Sequence, residues 1–346
     1  MNTKQKFAQF LWTGLAGTSL TPEEESFLTE TPPGAVILFT RNYESPKQLW
    51  ELTKRLQEIA TSNGGEHPFI IGVDMEGGRV ARFKEPFTVW PPMKNLADKG
   101  STGLAFDFAK AMGDELKEVG VNFNFSPCTD TLLNNKNEVI GDRAFSTEHE
   151  EVGKFASSVI RGFKKADLLT CIKHFPGHGY SSVDSHDDLP LDERKLEDIH
   201  ELEAFKKALR TKPEFIMPGH LMLPNVDSEF PVTLSKVWIE DILLKDMNCR
   251  ALLISDDLEM GALQKYDFEM MVERVYNLGF HQLLFCHGHE KAKEALEILS
   301  SKCELDESRL GRILDLKTKS QLLGPEQFNQ DRIGPQEHKD IAKQFS

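Results

Sequence analysis

A closed barrel of eight parallel strands, each followed by a helix, is the fold this sequence predicts. Three observations predict it. Eight short apolar runs recur along the chain, segments with helical spacing separate them, and polar residues gather where the runs end. In a (β/α)8 TIM-type barrel that end carries the active site. An open doubly wound sheet is the alternative architecture.

The apolar runs cover residues 10–12, 35–40, 69–75, 121–127, 168–175, 214–220, 251–257 and 282–287. Most are rich in Val, Ile, Leu and Phe without polar alternation, as strands covered on both faces are. The first follows an N-terminal stretch with Lys4, Lys6 and small residues that resembles a signal peptide. Thr13 and Gly14 break that stretch before a helix start at Thr21-Pro22-Glu23-Glu24, so it reads as a first strand. Helical spacing predicts helices over 46–61, 103–118, 148–165, 193–209, 236–245, 268–278 and 289–300, with Glu51, Lys54 and Arg55 on an outward face. Beyond Ser320 the chain is less regular, with Gly324-Pro325 and Gly334-Pro335, and is expected to pack as a peripheral helical tail. No linker or long repeat interrupts it, so one domain over residues 1–346 is expected.

Composition narrows the partners. A net charge of −14 leaves nothing to neutralise phosphates, which argues against nucleic acid. Hydrophobic and charged fractions of 39% and 28% suit a soluble globular protein, and no apolar run is long enough to span a membrane. Cys128, Cys171, Cys249, Cys286 and Cys303 are scattered with no CxxC pair, as in a reducing compartment. A cytoplasmic location is expected.

The densest chemistry lies in KHFPGHGYSSVDSH, from Lys173 to His186, directly after the fifth apolar run. Lys173 and His174 end that run with their donors toward the barrel mouth, suited to binding hydroxyls. An ion pair to a neighbouring strand end is the competing reading, because a buried lysine needs a partner. Asp184 and His186, two residues apart, can form a dyad in which the carboxylate orients an imidazole that titrates near neutrality. A solvated polar loop is the plainer reading there.

Ser255-Asp256-Asp257 ends the seventh run. A carboxylate delivered there can attack an electrophilic carbon, and capping of the next helix is the alternative for either acid. VDMEGGRVARF, from Val73 to Phe83, places Asp74 at a strand end, with Arg79 and Arg82 offering forks to oxygen atoms. Arg143, in VIGDRAF, reaches in from a loop.

Taken together, KHFPGHG followed by DSH, VDMEGGRVARF, VIGDRAF and SDDLEM resemble the motifs of glycoside hydrolase family 3, specifically its short single-domain β-N-acetylglucosaminidases. The resemblance runs from Gly34 to about Cys286. It implies removal of terminal non-reducing N-acetylglucosamine with retention of configuration, from muropeptides or related glycosides. It makes Asp256 the nucleophile and His186 the acid/base, supported by Asp184 on a mobile loop over 176–189. Asp74, Arg82, Arg143, Lys173 and His174 would hold the sugar. The partner is then a carbohydrate, with no cofactor and no metal.

Met75, Met217-Pro218-Gly219-His220 and Gly279-Phe280-His281-Gln282 depart from the family pattern and bear on pocket shape. Three rival readings keep the barrel. One is a metal-dependent hydrolase using His174, His178, His186, His220 and Asp256. The others are a phosphorylase with phosphate as acceptor, and an inactive sugar-binding protein.

Overall fold

The computed structural model describes residues 1–62, 67–181 and 189–345. Ten strands follow in chain order: β1 (Leu11–Thr13), β2 (Ala35–Leu38), β3 (Ile70–Val73), β4 (Met75–Gly77), β5 (Val80–Ala81), β6 (Phe123–Asn124), β7 (Leu169–Phe175), β8 (Phe215–Pro218), β9 (Leu252–Asp257) and β10 (Gln282–Phe285). Eight of them close a barrel in the order β1-β2-β3-β6-β7-β8-β9-β10, every neighbouring pair parallel. The predicted fold is therefore the observed one.

Why the strands show no polar alternation is clear from where their side chains go. In β2, Ala35 and Ile37 point into the barrel, while Val36 and Leu38 join the layer beneath the helices. β9 repeats this with Leu252 and Ile254 inside and Leu253 outside. Both faces are apolar because both are covered. The barrel interior is filled by aromatic rings, with Phe123 centred 4.9 Å from Trp12, 4.6 Å from Phe125 and 5.1 Å from Phe215. Gly72 in β3 makes room for them, since a Cβ there would lie 2.6 Å from the Trp12 ring.

The helices are α1 (Thr3–Ala8), α2 (Pro22–Glu30), α3 (Pro46–Thr61), α4 (Met93–Asp98), α5 (Thr102–Glu118), α6 (His149–Lys165), α7 (Leu202–Leu209), α8 (Phe268–Asn277), α9 (His289–Lys302), α10 (Glu307–Lys319) and α11 (Gln336–Lys343). A π-helix, Val237–Asp246, follows β8. Thr21 caps α2 by accepting from the Glu24 N–H, and the Glu24 carboxylate reaches back to the Thr21 N–H, as the TPEE motif predicts.

Three departures have local causes. The helix predicted over 193–209 is shortened to α7, because Arg194 is clamped between Asp192 and Glu201, both 2.7 Å away, and this holds the chain in an irregular path. β6 is short because asparagine side chains replace backbone pairing: the Asn124 amide accepts from Met75 N–H at 2.9 Å and donates to Met75 C=O at 2.7 Å. The stretch after β3 is not plain turn but a hairpin, β4 with β5 antiparallel, turning at Gly77 and Gly78 with φ of 96° and 56°. Beyond Ser320, α11 packs against α5 as a peripheral helix. Among the described residues no helix is long and apolar enough to cross a membrane.

The N-terminal end of the barrel contains a buried amine. Lys317 of α10 is 2% exposed, and its Nζ donates to Gln9 Oε1 at 2.8 Å. Burial without a carboxylate partner pulls its pKa from 10.5 down to about 7. The unfolded chain therefore holds a proton that the folded chain lacks between pH 7 and 10.5, so stability rises with pH across that window. Below it the folded state bears the full desolvation cost. Lys317→Met is expected to stabilise the protein by about 1–3 kcal/mol at pH 7 and by progressively less toward pH 10, read by denaturant melts at several pH values. A uniform gain at all pH values would contradict the buried-charge origin.

Candidate active site

All the predicted site residues within the described segments lie at the C-terminal face of the barrel. Asp74 directly follows β3, and Lys173 and His174 lie near the end of β7, joined by a cis peptide bond. Asp256 lies at the end of β9. Asp184 and His186, with residues 182–188 of the loop expected to be mobile, fall outside the described residues.

Lys173 is the hub of a buried ion cluster. Its ammonium is 2.7 Å from Asp74 Oδ1 and 2.7 Å from Glu76 Oε1. Glu76, in β4, is fully buried and also accepts a two-pronged contact from Arg143, Nε and Nη2 each at 2.9 Å. Burial would raise the Glu76 pKa, but the charges of Arg143 and Lys173 bring it down to about 2. Asp74 is likewise held well below the usual carboxylate range: burial opposes ionisation, and Lys173 and Arg82 outweigh it. Lys173 is raised by the same two acids against the effect of its burial.

Lys173 is thus ion-paired across strand ends at the mouth of the barrel, as the competing reading expects. Arg82 donates to Asp74 Oδ2 at 3.2 Å, while its buried Nε has no partner among the described residues. Arg79, by contrast, has its fork occupied by Asp142 and the carbonyls of Glu138 and Val139, which ties the hairpin to the 137–143 segment. Arg41 and Asn42, after β2, bind the Leu15 carbonyl and so brace the loop that follows β1.

His174 stands on a second buried acid, Asp130, which lies beyond β6. Asp130 Oδ2 is 2.7 Å from His174 Nδ1. Its Oδ1 accepts the backbone N–H groups of His178 at 2.7 Å and His174 at 3.2 Å. Burial raises the Asp130 pKa less than His174 and His178 lower it, so it stays ionised. With Nδ1 held there, the Nε2 side of the imidazole remains for hydrogen bonding elsewhere.

Asp256 differs from all these acids. Oδ1 accepts the Asp257 N–H at 2.8 Å, and among the described residues no lysine or arginine pairs with the carboxylate. Burial would raise its pKa, but the neighbouring His220, His174 and Lys173 side chains and the Asp257 N–H lower it. The result is an ionised carboxylate with one oxygen oriented and, among the described residues, no direct ion pair to a lysine or arginine. Its neighbour takes the structural part. Asp257 Oδ1 accepts from Glu259 N–H at 3.1 Å and Cys286 N–H at 3.3 Å, and burial pushes its pKa up to about 6.

His220 Nε2 donates to the Asp257 carbonyl at 2.9 Å, and Nδ1 is 2.8 Å from Thr233 Oγ1. The ring therefore braces the Asp256–Asp257 backbone and is not part of a His174–His178–Asp256 ligand set. Among the described residues the donor cluster that could hold a metal ion is instead Cys128, Asp130 and His174.

Glu76 and Asp130 were missed in the sequence. A signal existed for each: Glu76 lies two residues beyond Asp74, and Asp130 follows three residues after the fourth apolar run.

Cleaving a glycosidic bond calls for an ionised carboxylate beside fixed donors for hydroxyls, and comparison with known proteins identifies the molecule as a glycoside hydrolase. Residues 3–315 match the glycosyl hydrolase family 3 N-terminal domain, and the chain belongs to that family. A β-hexosaminidase of Idiomarina loihiensis is 36% identical over 290 residues, 82% of this chain and 85% of the relative.

Among solved structures, a family 3 β-N-acetylglucosaminidase from Paenibacillus sp. str. FPU-7 superposes with a TM-score of 0.94 at 30% identity, over 100% of this chain and 68% of that one. Native NagZ from Neisseria gonorrhoeae superposes with a TM-score of 0.80 at 27% identity, over 97% of each chain. The same protein has been solved with N-trifluoroacetyl-D-glucosamine, with a TM-score of 0.81 at 28% identity over 97% of this chain and 98% of that one.

Proposed function

We propose that this glycoside hydrolase removes terminal non-reducing N-acetylglucosamine from muropeptides or related glycosides, with retention of configuration. The observation that carries this reading is Asp256, an ionised carboxylate without a cationic partner among the described residues, beside a set of donors fixed by ion pairs. In the proposed mechanism Asp256 attacks the anomeric carbon and forms a covalent glycosyl-enzyme. His186, oriented by Asp184, protonates the departing oxygen and then deprotonates water. Lys173, His174, Arg82 and Asp74 hold the hydroxyls, and Arg143 acts through Glu76.

Specificity for the acetamido sugar is supported by the β-hexosaminidase relatives and by the glucosamine derivative bound in the NagZ neighbour. Action in the cytoplasm on cell-wall fragments during recycling, by one catalytic domain, belongs to the same proposal. Turnover of an aryl N-acetyl-β-glucosaminide tests the activity, with proton NMR reporting the first anomer released. The β-anomer is expected; initial release of the α-anomer would overturn retention.

The acid role of His186 has its own test. His186→Ala is expected to slow glycosylation by about 100-fold or more when the leaving group is a poor one, such as a sugar. With an activated phenol, which departs with little protonation, the loss is expected to be much smaller. Equal losses in single-turnover measurements would contradict proton donation by this residue.

A further inference from the structure

His174 belongs to a buried donor set that sugar binding does not account for. Cys128 is fully buried, and its thiol donates to Asp130 Oδ2 at 3.1 Å. That same oxygen is 2.7 Å from His174 Nδ1. A sulfur and a nitrogen thus converge on one carboxylate oxygen, all three ligand atoms lying within 4.8 Å of one another.

Close to this trio in the chain, or bonded to it through the backbone, are residues with buried polar atoms that lack partners among the described residues. Ser126 Oγ, Thr131 Oγ1 and both ring nitrogens of His178 are buried and have no hydrogen-bond partner among the described residues. Ser126 and Thr131 flank Cys128 and Asp130 in the chain, and the His178 backbone N–H is bonded to Asp130. Buried polar atoms without partners are rare enough to require a physical account. A cysteine acting only as a small apolar filler explains its own burial but not these orphans.

We propose that Cys128, Asp130 and His174 form a binding site for a borderline-soft divalent cation of the zinc or cobalt(II) type, with His178 as a further nitrogen donor. Thiolate, imidazole and carboxylate are the donors that such cations select. Metal bonds of about 2.0 Å to oxygen and nitrogen and 2.3 Å to sulfur imply ligand separations of roughly 3.3–3.5 Å in a tetrahedron. The present separations of 2.7 and 3.1 Å need only a small outward movement. His178 can turn toward the ion without breaking a ring hydrogen bond to any described residue.

Asp130 Oδ1 keeps its two backbone donors while Oδ2 becomes the ligand. Binding displaces the thiol proton to solvent as the sulfur–metal bond forms. The neutral His174 ring coordinates through Nδ1 and carries its one proton on Nε2. Its tautomer and position then change, and the cation acts as an inhibitor. This last consequence rests on the proposed sugar-binding part of His174; the metal site itself does not.

Titration of the full-length protein with cobalt(II) tests the proposal. The wild type is expected to show a thiolate-to-cobalt charge-transfer band in the near ultraviolet, saturating at one equivalent, with turnover falling in parallel. Cys128→Ser is expected to keep basal turnover, lose the band and bind cobalt about tenfold or more weakly. The other four cysteines remain in that variant, so loss of the band assigns the sulfur. Cys128→Val serves equally if the serine variant folds poorly. Absence of the band in the wild type overturns the site. A band and inhibition that survive unchanged in both variants also overturn it, placing the cation elsewhere. A band without inhibition would leave the metal site standing and refute the sugar-binding part given to His174.

Discussion

Asp256→Ala is expected to lower turnover by about 10⁴-fold or more on every glycoside substrate, including those with activated leaving groups. A missing nucleophile cannot be compensated by an easier departure, which separates this variant from His186→Ala. The loss is also expected to come without unfolding. Among the described residues Asp256 accepts one hydrogen bond, from the Asp257 N–H, and braces no other element. Bracing falls to Asp257 and to His220, which holds the Asp257 carbonyl. Stability within about 1 kcal/mol of wild type is therefore expected. Turnover near the wild-type rate would remove Asp256 from the mechanism, and a matching collapse in stability would make the activity loss uninformative about it.

Lys173→Met is expected to have the opposite profile, with large losses of both stability and activity. The lysine is 3% exposed and lies between Asp74 and Glu76. Removing it leaves those carboxylates with one cation each, Arg82 and Arg143. Breaking a buried ion cluster on one side costs about 3–5 kcal/mol, because the remaining charge stays desolvated. Chemical denaturation should show that loss at neutral pH, and a change below about 1 kcal/mol would mean that the two arginines suffice.

The same cluster sets an acid limit on stability. Glu76 titrates at about 2 in the fold against an ordinary 4.5, so the unfolded chain binds the extra proton between those values. Its contribution is complete above pH 4.5 and is lost as the pH falls toward 2. Glu76→Gln is expected to flatten that part of the pH–stability curve.

The barrel was legible because its strands are apolar on both faces and its long helices carry clear periodicity. Residues 46–61 were predicted and observed with the same bounds. What escaped has particular causes. Helix α10 is rich in charge and buries few residues, chiefly Leu310, Ile313 and Lys317, so its apolar signal is weak. The hairpin of β4 and β5 is stabilised by Asn124 from another strand, a pairing across 49 residues that no local pattern contains.

The site divides in the same way. Asp74, Lys173, His174 and Asp256 could be found because each closes an apolar run. Glu76 and Asp130 act by contact with Lys173 and His174 over long sequence separations, and their significance is a property of the closed barrel. Arg143 was visible in VIGDRAF, but not that its fork would close on Glu76.

The central claim is a covalent bond to Asp256, and trapping measures it most directly. The enzyme would be incubated with a slow 2-acetamido-fluorosugar, digested and mapped by mass spectrometry. One hexosamine adduct on the peptide containing Asp256 is expected, absent from Asp256→Ala. An adduct on another carboxylate would contradict the account, as would turnover of the reagent with no adduct formed.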